Sequence, residues 1–285
     1  MTDQRANWSA RGRAPAADEA ALRDRLDAPD PATRREAALG LVDAASDGLD
    51  PDTVAALGSR IDADPDADVR QFAVEALGNA GAAPESLRAA LEDDDEWVRA
   101  EAVVACSRVR GEAAADTLRP CLDDASGWVR RNALVALGKV DAADAERLRE
   151  RLKSDGHAGV REYAAEFLGH TPGDVEETVT VLAAVLARDP EALVRAKAAS
   201  SLGELGTDRA TEALETQGVG DRSTDVQRAA KRALAVAEGR DPDAVDVDDP
   251  SPRPPGGAPD GRADVAGGPP STPRAVERSS GSDPP

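Results

Sequence analysis

The sequence predicts an all-α fold built as a solenoid of helical hairpins. Three observations predict it. A ten-residue pattern recurs along the chain with a period near 30 residues. The apolar content is mostly Ala, Leu and Val, with aromatics at only 2%, and Ala and Leu are strong helix formers. Runs alternating apolar and polar residues with period two, the mark of a half-buried strand, are missing.

The pattern reads V-R-x-x-A-x-x-A-L-G. Its copies are VRQFAVEALG from Val69, VRAEAVVACS from Val98, VRRNALVALG from Val129, VREYAAEFLG from Val160 and VRAKAASSLG from Val194. Worn copies flank them: TRREA from Thr33 and VQRAAKRAL from Val226. The arginines form a ladder of Arg34, Arg70, Arg99, Arg130, Arg161 and Arg195, with Gln227 in the seventh place. Their steps are 36, 29, 31, 31, 34 and 32 residues. Divergent end copies suit capping units, because each has a face with no neighbour.

Within a copy, Val, Ala, Ala and Leu fall at i, i+4, i+7 and i+8, one face of a helix. Asp30, Asp66 and Asp95 stand three residues before the Val or Thr, where a short acidic side chain caps the first turn. A second, weaker helix is expected upstream of each copy, over 18–27, 51–61, 84–92, 112–122, 141–153, 173–187 and 207–217. Turn chemistry separates the helices, as in Asp64-Pro65-Asp66 and Thr171-Pro172-Gly173. One hairpin buries too little area alone, so stacked neighbours supply the core.

This arrangement resembles the HEAT-repeat superfamily, especially the short repeats of phycobilisome-lyase-like proteins, over roughly residues 18–238. The resemblance implies a right-handed α-α superhelix of about seven hairpins with a concave groove. It says little about function, because the same repeats serve scaffolds, adaptors, lyase subunits and metal enzymes. Residues 1–17 are expected to be flexible. Residues 239–285 hold 11 of the 20 prolines and no aromatic, and are expected to be disordered.

The net charge is −20 and only four lysines stand against 31 arginines. An acidic surface with Arg in place of Lys resembles that of salt-adapted proteins and implies a halophilic archaeal source. Salt screens the self-repulsion over about 3 Å at 1 M. The same charge argues against nucleic acid as a partner, since phosphate contact needs a basic stripe. No apolar run approaches the roughly 18 residues of a membrane span, and the N-terminus has no apolar core of a signal peptide. The expected location is the cytoplasm, and the expected state a monomer.

The Arg ladder is read as framework. Each Arg sits in the first turn of its helix, where a cation meets the positive dipole end at a cost of about 0.3–1 kcal/mol. It therefore needs a carboxylate. The resemblance implies acidic partners on adjacent repeats, and Asp66, Asp95 and Glu191 are the expected ones. Copies four and five carry Ser126 and His157 at that place, with Asp124 and Asp155 two residues earlier.

Trp97 and Trp128 occupy equivalent places in consecutive repeats, so their rings should be neighbours across helices about 8–10 Å apart. Phe72 and Tyr163 share a second place, two residues after the Arg. These four either fill gaps between small Ala residues or form a recognition patch, since Trp and Tyr favour interfaces. Arg131, Asn132 and Lys139 make a small basic island that could orient an acidic partner. Solvent-side positions also include Glu75, Glu101, Arg108, Glu162, Glu166, Lys197 and Glu204.

Catalytic signals are weak. Deoxyhypusine hydroxylase, a HEAT-repeat enzyme, binds two irons through repeated His-Glu pairs. Here only His157 and His170 occur, neither followed by Glu. Cys106 and Cys121 lack the further ligands of a zinc site. No phosphate-cradling or dinucleotide motif occurs. No catalytic residue, metal or cofactor is expected. The expected function is a non-catalytic scaffold or adaptor for a protein partner, bound through the concave face. The alternative is a phycobilisome-lyase-like or other enzyme-accessory subunit.

Overall fold

The computed structural model describes residues 18–242, and no strand occurs among them. Seven helical hairpins follow one another. The second limbs are the regular ones: α2 (Pro31–Ala44), α4 (Ala67–Ala80), α6 (Glu96–Arg110), α8 (Gly127–Gly138), α10 (Ala158–Leu168), α12 (Ala192–Leu205) and α14 (Thr224–Ala237). The first limbs are α1 (Glu19–Arg25), α3 (Pro51–Ala63), α5 (Pro84–Ala89), α7 (Ala115–Leu118), α9 (Ala145–Ser154), α11 (Val175–Arg188) and α13 (Asp208–Ala213). Each second limb packs on the next, from α2 on α4 through to α12 on α14. The result is an α-α superhelix with one layer of first limbs and one of second limbs. The expectations for residues 1–17, and for the tail beyond 242, lie outside the described residues.

Local chemistry sets the boundaries. Asp30, Asp66 and Asp95 each accept a hydrogen bond from a first-turn N–H of α2, α4 and α6. Pro31, Pro51 and Pro84 open their helices, where the missing N–H is no loss. α5 closes in a 3-10 turn at Ala90–Glu92 and α13 in a π turn at Leu214–Gly218, and two first limbs differ further from expectation. Segment 112–122 is not one helix: α7 is flanked by 3-10 turns at Gly111–Ala114 and Arg119–Asp123. Pro120 accounts for this, having no N–H to give and a ring that crowds the preceding turn. The fifth begins at Ala145 rather than at 141, because Asp141 is left-handed (φ 53°) and Asp144 is the cap, accepting from the Arg147 N–H at 3.0 Å.

The recurring glycine of the pattern closes the gap between second limbs. A Cβ at Gly78 would stand 2.6 Å from the Ala105 Cβ, and one at Gly138 would stand 2.5 Å from the Phe167 ring. Val69, Ala73, Ala76 and Leu77, and likewise Val129, Ala133, Ala136 and Leu137, are buried. They are the apolar face that the pattern predicts. The core falls into two clusters: one runs from Leu22 to Leu137 and the other from Leu134 to Ala233.

Candidate functional site

The ladder arginines face the next repeat, and their partners correct the expectation. Arg34 donates from Nε and Nη2 to Asp64 at 2.7 and 2.9 Å. The same fork joins Arg70 to Asp93, Arg99 to Asp124, Arg130 to Asp155, Arg161 to Asp189 and Arg195 to Asp221. Nη1 of each turns back to a carbonyl six residues earlier, as from Arg70 to Asp64 O at 2.9 Å. Each aspartate from Asp64 to Asp189 thus accepts from the preceding repeat with its carboxylate and from its own repeat with its carbonyl. The last rung is neutral: Gln227 donates to Asp221 O at 2.6 Å. The amide reaches the same carbonyl that the guanidinium reaches in the other rungs.

Asp66, Asp95 and Glu191 are therefore not the ladder's partners. Asp66 and Asp95 are turned onto their own helix N-termini, away from the ladder guanidiniums. Asp66 does reach the preceding repeat, but pairs there with Arg35 at 2.9 Å. Glu191 occupies the cap position of α12 without a capping hydrogen bond. Burial opposes ionisation of Asp64, Asp93, Asp124 and Asp155. The Arg fork and the backbone N–H two residues on outweigh it, and hold these carboxyls below the ordinary aspartate range. The ladder arginines from Arg34 to Arg161 are correspondingly held more firmly protonated by those same hydrogen bonds.

The other face of the second limbs carries the aromatic residues. Trp97 and Trp128 meet with ring centroids 5.8 Å apart. Both are half-buried. His157 extends the row, meeting Trp128 edge-on at 4.7 Å. It was missed in the sequence because it stands at the cap position of α10 and not in the Trp register. That register is held by Gly159, so space is left for a ring from the preceding turn. Phe72 and Tyr163 are partly buried and lean on the two core clusters.

Arg131 lies over the Tyr163 ring, 5.0 Å from its centroid, and donates to the Tyr163 hydroxyl at 3.3 Å. Asn132 accepts from Arg131 and donates to the Ala100 carbonyl at 3.0 Å. Lys139 is exposed. The basic island is thus two fixed groups and one free end. Phe167, not singled out in the sequence, stacks on Tyr163 at 6.2 Å and fills the space that Gly138 leaves.

Beside the island the charge reverses. Burial and the Glu75 carboxylate push Glu101 up to about 7, with Arg108 only partly offsetting them. Burial also raises Glu75 and Glu162. Glu166 pairs with Lys197 at 2.8 Å, and Arg108 donates to Asn79.

Burial pushes the thiols of Cys106 and Cys121 up to about 11, so neither is a ready nucleophile at neutral pH. Among the described residues no group of three His, Cys, Asp or Glu side chains is placed to hold a metal ion. None of the described helices is long and apolar enough to cross a membrane.

Comparison with known proteins gives the fold a family. No curated protein sequence matches the chain. Among solved structures, the chain is similar to the Escherichia coli protein YibA, with a TM-score of 0.61 at 18% identity, over 82% of this chain and 88% of that one. It is similar to an engineered protein with a TM-score of 0.50 at 22% identity, over 80% and 72%. The CpcE–CpcF complex of phycocyanin lyase from Nostoc sp. PCC7120 has a TM-score of 0.48 at 23% identity, over 78% and 88%. The family model of HEAT repeats matches residues 19–87, 54–138, 84–169 and 145–235, so that the chain belongs to the HEAT-repeat family.

Proposed function

We propose that the chain is a non-catalytic scaffold or adaptor, which binds a protein partner on the layer of second limbs. One observation carries this reading. Trp97 and Trp128 sit half-buried, in contact with each other, in the first turns of α6 and α8. Trp128 also leans on the first core cluster, and both rings keep part of their surface exposed. Paired, partly exposed tryptophans with restricted motion suit an interface anchor. Arg131, held by Tyr163 and Asn132, adds a guanidinium whose ordering is achieved before any partner arrives.

The site residues of this reading are Phe72, Trp97, Trp128, Arg131, Asn132, Lys139 and Tyr163. The ladder from Arg34 to Arg195 holds their helices in register. The enzyme-accessory alternative rests on resemblance alone. Affinity purification of the tagged chain from its own cells, at native salt, tests the reading. A stoichiometric protein partner that crosslinks to the second limbs supports it. Partners that crosslink only to the first limbs would put the interface elsewhere.

A further inference from the structure

First limbs pack on one another along much of the array: α1 on α3, α3 on α5, α9 on α11 and α11 on α13. The fourth repeat interrupts this layer. Its first limb is the broken segment 111–123, and beside it one core cluster ends and the other begins. A cavity of about 440 Å³ lies there. Its apolar lining is Leu122 from the broken limb, Leu134 and Leu137 from α8, Ala143 from the following turn and Leu148 from α9, and three Asp and three Arg side chains complete it.

We propose that this cavity binds a small amphiphile with an apolar body and one carboxylate. The volume lies within the roughly 300–1,000 Å³ of ligand cavities. The charge on the rim selects the sign of the head group. Asp123 accepts from both Arg147 and Arg151, so its single negative charge is more than balanced by two guanidiniums. The Asp144 carboxylate is occupied in capping α9. The Asp116 side chain is 99% exposed and faces solvent.

Donors are left over. The Arg119 guanidinium is half-exposed, and its ion pair to Asp116 is 3.8 Å long, beyond hydrogen-bond distance. A carboxylate at the mouth therefore meets an open guanidinium fork, whereas an ammonium meets carboxylates already engaged. The site lies between the broken first limb, α8 and α9, and contains none of the residues of the proposed interface.

Calorimetric titration of the full chain with decanoate, and separately with decyltrimethylammonium, both below micelle formation, tests the assignment. Decanoate is expected to bind at one site per chain, and about tenfold or more tighter than the cation. Arg119→Gln, at an exposed position, is expected to weaken decanoate about tenfold and to remove the preference over the cation. Ala143→Trp, which fills the cavity, is expected to abolish saturable binding. Absence of saturable decanoate binding, equal affinity for both amphiphiles, or an Arg119→Gln variant that binds as the wild type does would each overturn the proposal. Arg119→Gln decides the matter by itself if Ala143→Trp disturbs the fold.

Discussion

Replacing Arg130 with alanine removes the middle rung of the ladder. Its Nε and Nη2 donate to Asp155 at 2.7 and 2.6 Å, and Nη1 donates to the Asp124 carbonyl at 2.8 Å. The Asp155 side chain is 1% exposed. Truncation leaves a buried carboxylate facing a void, and breaking such a pair costs about 3–5 kcal/mol. Two features bring the figure to the lower end. Arg151 stands 3.7 Å from Asp155 and remains, and the His157 N–H still donates at 2.9 Å. The expected loss is about 3 kcal/mol. The control is Arg25→Ala, whose pair with Glu36 is exposed and worth under about 0.5 kcal/mol. Urea unfolding of both variants, with Asp155→Asn and the Arg130→Ala/Asp155→Asn double variant, closes the cycle. The double variant is expected to fall short of the summed single losses by about 2 kcal/mol. An Arg130→Ala loss no larger than that of Arg25→Ala, or additive losses in the cycle, would refute a structural role for the rung.

Stability should pass through a maximum on acidification. The folded pKa of Glu101 is raised to about 7, so its charged form is disfavoured in the fold. Between pH 7 and its ordinary value of 4.5 the native state binds the extra proton, and stability rises as pH falls. Glu101→Gln should remove this slope, and add on the order of 1–2 kcal/mol at pH 8 after allowance for partial exposure. Asp93, Asp124 and Asp155 act in the opposite sense. Their stabilisation is present above the unfolded value of 3.8 and is lost as pH falls through the depressed folded values. Urea midpoints at pH 8, 5.5, 4 and 3 should rise and then drop. A midpoint that falls steadily from pH 8 would contradict the Glu101 assignment. Gly138→Ala should cost about 1–3 kcal/mol by driving a methyl into the Phe167 ring, and Phe167→Leu should recover part of that loss in thermal melts.

The hairpins were legible because each second limb carries its own periodic apolar face, and because Pro and Asp mark the helix starts. The broken fourth limb was harder to see. Its apolar spacing suggests a helix, and only Pro120 warns of the interruption. The ladder partners are legible in a second spacing. Asp stands six residues before Arg70, Arg99, Arg130, Arg161 and Arg195, and before Gln227 as well. The cap position four residues before the Arg varies among Asp66, Asp95, Ser126, His157 and Glu191. A group that spans two repeats cannot vary without its partner, whereas a cap can be exchanged among small polar residues. The Trp97–Trp128 contact follows from equivalent positions in adjacent repeats. His157 and Phe167 join the aromatic rows only through vacancies at Gly159 and Gly138, which depend on helix separation and not on sequence period.

The proposed function stands or falls on the tryptophan pair. Once a partner has been isolated, its affinity for the wild type and for Trp97→Ala/Trp128→Ala should be measured by titration at matched salt, with circular dichroism to confirm the helical fold of both. An interface anchored on these rings predicts a weakening of about 30-fold or more, the effect of losing a hot spot of about 2 kcal/mol. A variant that keeps its helical fold and binds the partner with unchanged affinity would contradict it.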